Sequence, residues 1–332
     1  MSPNGSPQPT SPPDQPVHVF PPGQTLWSGS TLYVPYAFER PRPRDRYWLH
    51  ILLLLLTLLT TSIVGASLSA DFAADRPVEF AGFDGYVRVW HHPADLIAGL
   101  PFALALLFIL MCHEMGHYIA AHRYRVNATL PFFLPAPTLI GTMGAFIRIR
   151  SAVPTKRAMF DIGIAGPIAG FAALLPVLAI GVAMSKVIPG IAERGDLIFG
   201  TPLLLRGFEH LAFPGVTPDN IYLHPIARAA WAGLLATALN LLPIGQLDGG
   251  HILYAIVGER IKPLSYIFIA ALLPLGYFYS ASWYVWAVLL FFIARRHPVI
   301  YDPRPLDSMR WRLAWLALAI LIVSFTPSPV KT

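Results

Sequence analysis

Two histidines and a glutamate stand at the end of a strongly apolar segment, where ionisable side chains are uncommon. The segment MCHEMGH, residues 111–117, contains His113, Glu114 and His117. Residues four apart share one face of a helix, so the two imidazoles can hold one metal ion together. Glu114 lies one position from His113, where its carboxylate can reach a water on that ion without being a ligand. This HExxH pattern is typical of hydrolytic zinc sites, in which the metal acidifies water and the glutamate takes the proton.

A second interpretation of these residues requires no metal. In it, both imidazoles are interfacial side chains at a helix end, and Glu114 is solvated among lipid headgroups. Ionisable groups at membrane depth are costly and usually functional, so three of them at this spacing favour the metal site.

A third metal ligand must be sought elsewhere, because a catalytic zinc usually has three protein ligands and one open position. Position 123, where one known spacing requires a histidine, is Arg123. Only Asp161 and Asp248 border apolar segments closely among the downstream acids. Asp161 opens an apolar run, where an N-cap role explains it. Asp248 follows helix breaks at Pro243 and Gly245, and irregular backbone at membrane depth is tolerated only against protein or a wet cavity. Asp248 is therefore the stronger candidate.

The composition predicts a membrane protein. Of the 332 residues, 55% are hydrophobic and 13% charged, against about 25% charged in a soluble domain. Windows without charge that approach or exceed the length of a membrane span are residues 51–70, 96–112, 162–185, 229–247, 263–294 and 313–330. The fifth window is too long for one ordinary span, and a pair of short helices that breaks between Pro274 and Ser282 is favoured. We therefore expect an all-α polytopic membrane protein of about six to seven transmembrane helices.

The distribution of arginine and lysine predicts the orientation. Arg40, Arg42, Arg44 and Arg46 precede the first window, which indicates a cytoplasmic N-terminus. A helical pair in the fifth window places the basic residues after position 294 on the cytoplasmic side and gives seven crossings, whereas a single helix gives six. These flanks account for most of the net charge of +6, so no nucleic-acid partner is expected.

The chain is expected to divide into four parts. Residues 1–45 are rich in proline and predict a disordered cytoplasmic tail. Residues 46–95 comprise the first transmembrane helix and an outer loop, residues 96–262 a catalytic membrane core, and residues 263–332 the C-terminal transmembrane helices. The single cysteine, Cys112, excludes a disulfide within the chain.

Three motifs together resemble those of the site-2 protease family of intramembrane zinc metalloproteases, in its PDZ-free bacterial and chloroplast branch. They are HEMGH, GIAGPIAG and NLLPIGQLDGG, and the resemblance covers about residues 96–262. It implies a zinc ion held by His113, His117 and Asp248, with Glu114 as general base. It further implies that Asn240 and Pro243 help to hold the substrate or to stabilise the oxyanion. The glycines of the middle motif, with Pro167, predict a helix-packing face and a kink.

The segment at residues 130–150 is not expected to be helical. Pro131, Pro135 and Pro137 break a helix, IGTMG predicts a turn, and AFIRIR alternates as a strand does. The resemblance implies a small re-entrant β-hairpin here, between the second and third spans. Its edge would bind an unwound substrate by adding a strand, and the expected substrate-binding residues are Gly141, Gly144 and Phe146.

The expected function is cleavage of peptide bonds in or near transmembrane segments, with a transmembrane protein as substrate and the lipid bilayer as surroundings. The expected location is a prokaryotic cytoplasmic membrane, with a chloroplast membrane as the alternative. Two other functions stay open: a transporter that uses buried His and Asp, and a catalytically silent membrane protein with a metal site. The oligomeric state also stays open.

Overall fold

The computed structural model describes residues 46–78, 84–195, 198–294, 300, 302 and 304–331. The proline-rich segment 1–45, expected to be disordered, lies outside the described residues. The helices of the described part are α1 (Tyr47–Ala73), α2 (Asp84–His91), α3 (Asp95–Arg123), α4 (Lys156–Ala183), α5 (Leu203–Ala212), α6 (Pro225–Leu241), α7 (Asp248–Val257), α8 (Ile261–Phe278), α9 (Ser282–Ala294) and α10 (Ser308–Ser324). The strands are β1 (Phe132–Pro135), β2 (Thr142–Phe146), β3 (Lys186–Val187), β4 (Ile198–Phe199), β5 (Ile221–Tyr222) and β6 (Val330–Lys331).

Several helices have the length and composition of membrane spans. Within the described ranges, four qualify: Tyr47–Ala73, Asp95–Arg123, Lys156–Ala183 and the combined α7 and α8, Asp248–Phe278. The helices α6 and α10 are apolar but have only 17 residues each. The mainly helical architecture with membrane-length helices agrees with the expectation. A total of six or seven crossings stays a prediction.

The helices α1, α3, α4 and α6 pack closely around a shared apolar core. Phe102 and Leu106 of α3, Leu174 and Leu178 of α4, and Leu234 of α6 are all almost completely buried in one cluster. Glycines allow the backbones to approach: a side chain at Gly99 would meet the Ser62 carbonyl, and one at Gly116 would meet the Ala165 carbonyl. The helix that carries HExxH is therefore fixed on both sides, by α1 and by α4.

The fifth apolar window forms two helices that contact each other, as expected. The break between α8 and α9 covers residues 279–281, inside the stretch in which the sequence places it. Trp283 at the start of α9 is buried in a cluster with Leu272 and Leu290. Its indole N–H donates to the Pro327 carbonyl at 2.6 Å, which fixes this end of the helical pair beside the end of α10.

The predicted hairpin between α3 and α4 is present. Strands β1 and β2 pair antiparallel, with Phe132 opposite Phe146 and an irregularity between Phe133 and Pro135. The turn contains Gly141 at φ +77°, a conformation that residues with a side chain rarely adopt. The Thr60 hydroxyl of α1 donates to the Gly141 carbonyl at 2.7 Å. The hairpin is thus attached to α1 at its turn.

The expectation for Asp161 is wrong. Helix α4 begins earlier, at Lys156, and its N-cap is Thr155, whose side chain accepts a hydrogen bond from the Ala158 N–H at 3.1 Å. Asp161 lies in the second turn, where Arg310 of α10 forms an ion pair with it. The first turn of α4 contains Lys156 and Arg157 and therefore does not belong to the apolar run. The start of that run consequently predicts a helix start that is too late.

Candidate metal centre

Helix α3 brings the two histidines together inside the protein. His113 and His117 are 5% and 6% exposed, and their rings meet edge to face with centroids 4.9 Å apart. The two Nε2 atoms lie 3.1 Å from each other. This is the arrangement that the four-residue spacing predicts, because one helical turn separates the two side chains.

Asp248 approaches the histidines from the start of α7. Its Oδ2 lies 3.1 Å from Nε2 of His113 and 3.2 Å from Nε2 of His117. The preceding turn is tight, since a side chain at Gly249 would lie 2.0 Å from the Leu241 carbonyl oxygen. As the first residue of α7, Asp248 also benefits from the partial positive charge of a helix N-terminus. The two glycines of LDGG thus explain how Asp248 reaches this point.

The three donor atoms fit a zinc ion. The Nδ1–H of His117 donates to the Ile162 carbonyl at 2.7 Å, which leaves Nε2 as an unprotonated acceptor in the neutral imidazole. This acceptor faces a carboxylate oxygen, an arrangement that a cation would stabilise. A tetrahedral zinc with bonds of about 2.0–2.1 Å separates its ligands by roughly 3.4 Å, close to the 3.1–3.2 Å between these atoms. His113, His117 and Asp248 are a group that could hold a metal ion.

Glu114 is buried beside the donors and faces the end of the hairpin. It is 5% exposed, and its carboxylate lies near the backbone of Ile147. Ile147 directly follows β2. The glutamate of HExxH therefore lies beside the segment that the sequence predicts to bind an extended chain. No local sequence signal identifies this backbone contact.

The sequence model of Peptidase family M50 matches residues 101–281. The chain belongs to Peptidase family M50. The matched range contains the HExxH helix, the hairpin and the Asp248 turn.

Relatives of this M50 chain include three plant proteins. "Probable zinc metalloprotease EGY1, chloroplastic" from Oryza sativa subsp. japonica is 30% identical over 85% of this chain and 51% of its own length. The Arabidopsis thaliana protein of the same name is 30% identical over 85% and 54%. "Probable zinc metalloprotease EGY2, chloroplastic" from Arabidopsis thaliana is 34% identical over 59% and 36%. The chain thus spans about half the length of the first two relatives.

One solved structure was also matched to this M50 chain. The site-2 protease from Methanocaldococcus jannaschii matches 74% of this chain and 87% of its own, at 16% identity and a TM-score of 0.32. A score this low does not establish a common fold.

Asn240 lies next to the donors in this M50 chain. Its Nδ2 is 3.3 Å from Nε2 of His113, at the end of α6. Pro243 follows in the loop between α6 and α7 and is half-buried. Both residues therefore lie on the segment that leads to Asp248, and Asn240 is close enough to contact a molecule bound at the donors.

The three hairpin residues have different surroundings. Gly141 is buried against α1, where a side chain would lie 2.6 Å from the Thr60 carbonyl oxygen. Gly144 has open space around it, and Phe146 is 43% exposed. Gly144 and Phe146 are accessible to a bound chain, whereas Gly141 shapes the turn.

The position of the candidate centre along α3 follows from helix geometry. His117 lies six residues and His113 ten residues before Arg123, the last residue of α3. At about 1.5 Å per residue, the histidines lie roughly 9 and 15 Å from that end of the helix. The two histidines therefore lie roughly two to three helical turns from that end of α3.

Proposed function

We propose that this chain is an intramembrane zinc metalloprotease, which hydrolyses peptide bonds within or near transmembrane segments of membrane proteins. The observation that carries the proposal is the convergence of His113, His117 and Asp248 from two segments of membrane-span length, with buried Glu114 beside them. Membership of family M50 and the name "probable zinc metalloprotease" of the plant relatives support it.

The proposed chemistry assigns zinc to the three donors and proton transfer to Glu114. Zinc, when bound, supplies Lewis acidity to water and to a peptide carbonyl. Glu114 takes a proton from the attacking water and returns it to the leaving amine. Asn240, 3.3 Å from His113, donates from its amide to the peptide oxygen as negative charge develops there.

The hairpin is proposed to hold the substrate in an extended form. A helical segment hides its carbonyls, and an unwound one needs new hydrogen-bond partners in a membrane. Strand β1 lies along α1, whereas Met143 and Phe146 of β2 are 60% and 43% exposed. A substrate strand added to β2 would lie close to Glu114, because Ile147, the residue after β2, lies near that carboxylate. Gly144, Phe146 and Pro243 are the proposed contacts.

The finer topology and the location are part of the proposal. Tyr124, Asp161 and Arg310 meet at one end of the helices, and β4 and β6 pair at the other. This arrangement supports seven crossings, with residues 124–157 and 304–312 on the cytoplasmic side. We also propose the division of the chain into four parts after residues 45, 95 and 262. We propose an integral membrane location. The names of the relatives support the chloroplast alternative, and nothing in them supports a prokaryotic membrane.

The test compares the wild type with Glu114→Gln. Each form is co-expressed with a panel of single-span membrane proteins, and bound zinc is measured on the purified enzymes. We expect the variant to keep stoichiometric zinc and to lose cleavage by about 10²–10⁴-fold, because a positioned general base contributes roughly that factor. Glu259→Gln, which changes an exposed glutamate, should cleave as the wild type does. Full cleavage by Glu114→Gln with normal zinc would contradict the mechanism.

A further inference from the structure

Helix α4 presents three glycines to the candidate metal centre. Gly163, Gly166 and Gly170 are spaced three and four residues apart, so they lie on one face of the helix. Each is in close contact with a different part of the centre. The sequence predicts this face as a helix-packing surface, and the structure identifies what packs on it.

The contact at Gly166 is the closest of the three. A Cβ atom at this position would lie 2.0 Å from Nε2 of His117 and 2.4 Å from both neighbouring ring carbons. The other ring nitrogen of His117 is held by the carbonyl of Ile162, also on α4, at 2.7 Å. The imidazole is thus seated on the bare backbone of α4, and the nitrogen that faces the metal centre occupies the space that any side chain at position 166 would take.

The other two glycines support the remaining donors in the same way. A Cβ at Gly170 would lie 2.9 Å from Cβ of His113 and 3.0 Å from its Nδ1. A Cβ at Gly163 would lie 3.4 Å from the backbone oxygen of Asp248 and 3.0 Å from Cβ of His251. All three donor residues therefore rest on one helix that contributes no donor itself.

We infer that α4 is the template that sets the donor triangle, and that Gly166 is the positioning residue that leaves room for His117 to reach it. The inference rests on the proposed zinc function and deepens it. It assigns part of the metal affinity to a residue that has no ligand atom. Nε2 of His117 lies 3.1 Å from Nε2 of His113 and 3.2 Å from Oδ2 of Asp248. A shift of this nitrogen by a fraction of an ångström would change both distances.

The substitution Gly166→Ala should weaken metal binding and leave the fold intact. The atoms it would strike are at the free end of a side chain, so the imidazole can move without displacing backbone. Gly181→Ala is a matched control on the same helix: its Cβ would lie 2.3 Å from the backbone nitrogen of Ala227 in α6. Position 181 is also crowded, by backbone atoms, but lies about four turns away from Gly166.

The experiment is a zinc titration of the purified full-length protein in detergent, against a chelator of known affinity. Gly166→Ala is expected to weaken zinc binding by about 10–100-fold or more, the range for residues that orient metal ligands. Gly170→Ala is expected to weaken it less, because its Cβ meets the base of His113 and not the donor nitrogen. Gly181→Ala is expected to lower the thermal midpoint and to bind zinc within twofold of the wild type.

The outcomes separate this inference from the proposed function. A wild type without stoichiometric zinc contradicts the proposed function itself. A wild type that binds zinc, with Gly166→Ala and Gly170→Ala both binding equally well, overturns the role of α4 alone. Equal losses in Gly166→Ala and Gly181→Ala would also overturn it, since the effect would then be general packing. If Gly166→Ala does not fold, the zinc affinity of Gly170→Ala is compared with those of the wild type and Gly181→Ala instead, and the same outcomes support or overturn the inference.

Discussion

Arg310 binds both carboxylate oxygens of Asp161 through one edge of its guanidinium group. Its Nε donates to Oδ1 at 2.9 Å and its Nη2 to Oδ2 at 2.5 Å. The Tyr124 hydroxyl donates to the same carboxylate, and Asp307 forms a second ion pair with Arg310. The residue after α3, the second turn of α4 and the first turn of α10 are thus joined at one point. The helix that carries the two histidines and the helix on which they rest are therefore both joined to α10.

Loss of this ion pair should loosen the C-terminal helix. Arg310→Gln removes the bidentate ion pair with Asp161. A bidentate ion pair contributes more to the free energy of unfolding than an ordinary surface ion pair does. We expect the free energy of unfolding to fall by about 1–2 kcal/mol, measured as a lower thermal midpoint in detergent. Arg312→Gln changes an exposed arginine two residues further on and should have little effect. Equal midpoints for the two variants would count against the joining role.

Removal of the Asp248 carboxylate should remove the metal. Asp248→Ala takes away one of three donors and leaves two imidazoles that cannot complete the zinc coordination. We expect bound zinc to fall from about one per chain to a small fraction, measured by mass spectrometry of the purified protein. Asp219→Ala, in the loop before α6, is the control and should keep its zinc. Stoichiometric zinc in Asp248→Ala would mean that another residue is the third ligand.

Loss of the contacts that attach the hairpin to α1 should slow cleavage and leave the zinc content unchanged. The ring of His50 stacks on Phe132 at 3.9 Å and its Nδ1–H donates to the Pro131 carbonyl, while Thr60 holds the turn. The double variant His50→Ala, Thr60→Val should exchange amide hydrogens faster in residues 131–146 and cleave more slowly, with normal zinc content.

The matched control for the hairpin is Thr61→Val. The Thr61 hydroxyl bonds to carbonyls of its own helix, those of Thr57 and Leu58. Its loss should leave hydrogen exchange in the hairpin unchanged. Unchanged exchange in the double variant as well would show that α1 does not hold the hairpin.

Glu209 should make stability depend on pH. It lies in α5, outside the candidate spans, and is 4% exposed; burial raises the pKa of its carboxyl from 4.5 to about 7. The folded protein therefore keeps a proton that the unfolded chain loses, and the free energy of unfolding falls as pH rises from about 4.5 to about 7.

The variant Glu209→Gln tests this pH dependence. It should be more stable than the wild type at pH 8, by up to roughly 3 kcal/mol, and equally stable near pH 4.5. Thermal midpoints across this pH range measure the difference. Glu193→Gln, at an exposed position, should follow the wild-type curve. A constant difference between Glu209→Gln and the wild type at all pH values would contradict the assignment.

Local patterns in the sequence predict much of this centre. The spacing of His113 and His117 fixes their common face, and the glycines and proline around Asp248 mark a break that allows the approach to α3. Prolines and alternating residues predict the hairpin between α3 and α4. In each case the signal lies within a few residues of the feature, where backbone geometry is set by local chemistry.

Contacts between distant segments could not be predicted in this way. Arg310 and Asp161 are 149 residues apart, and nothing in either neighbourhood indicates the other. The sequence marks the glycine face of α4, but only the packed structure shows that His117 rests on Gly166. The pairing of β4 with β6 escaped prediction because two-residue strands are too short to show alternation.

The distance of the histidines from the end of α3 has a consequence for which bonds can be cut. An extended chain advances about 3.3 Å per residue, so the 9–15 Å between Arg123 and the two histidines correspond to roughly three to five residues of unwound substrate. An enzyme built in this way would select its cleavage point by the length of substrate unwound from that end of α3. Moving the polar boundary of a substrate by two residues should then move the cut by two residues, whatever side chains flank it.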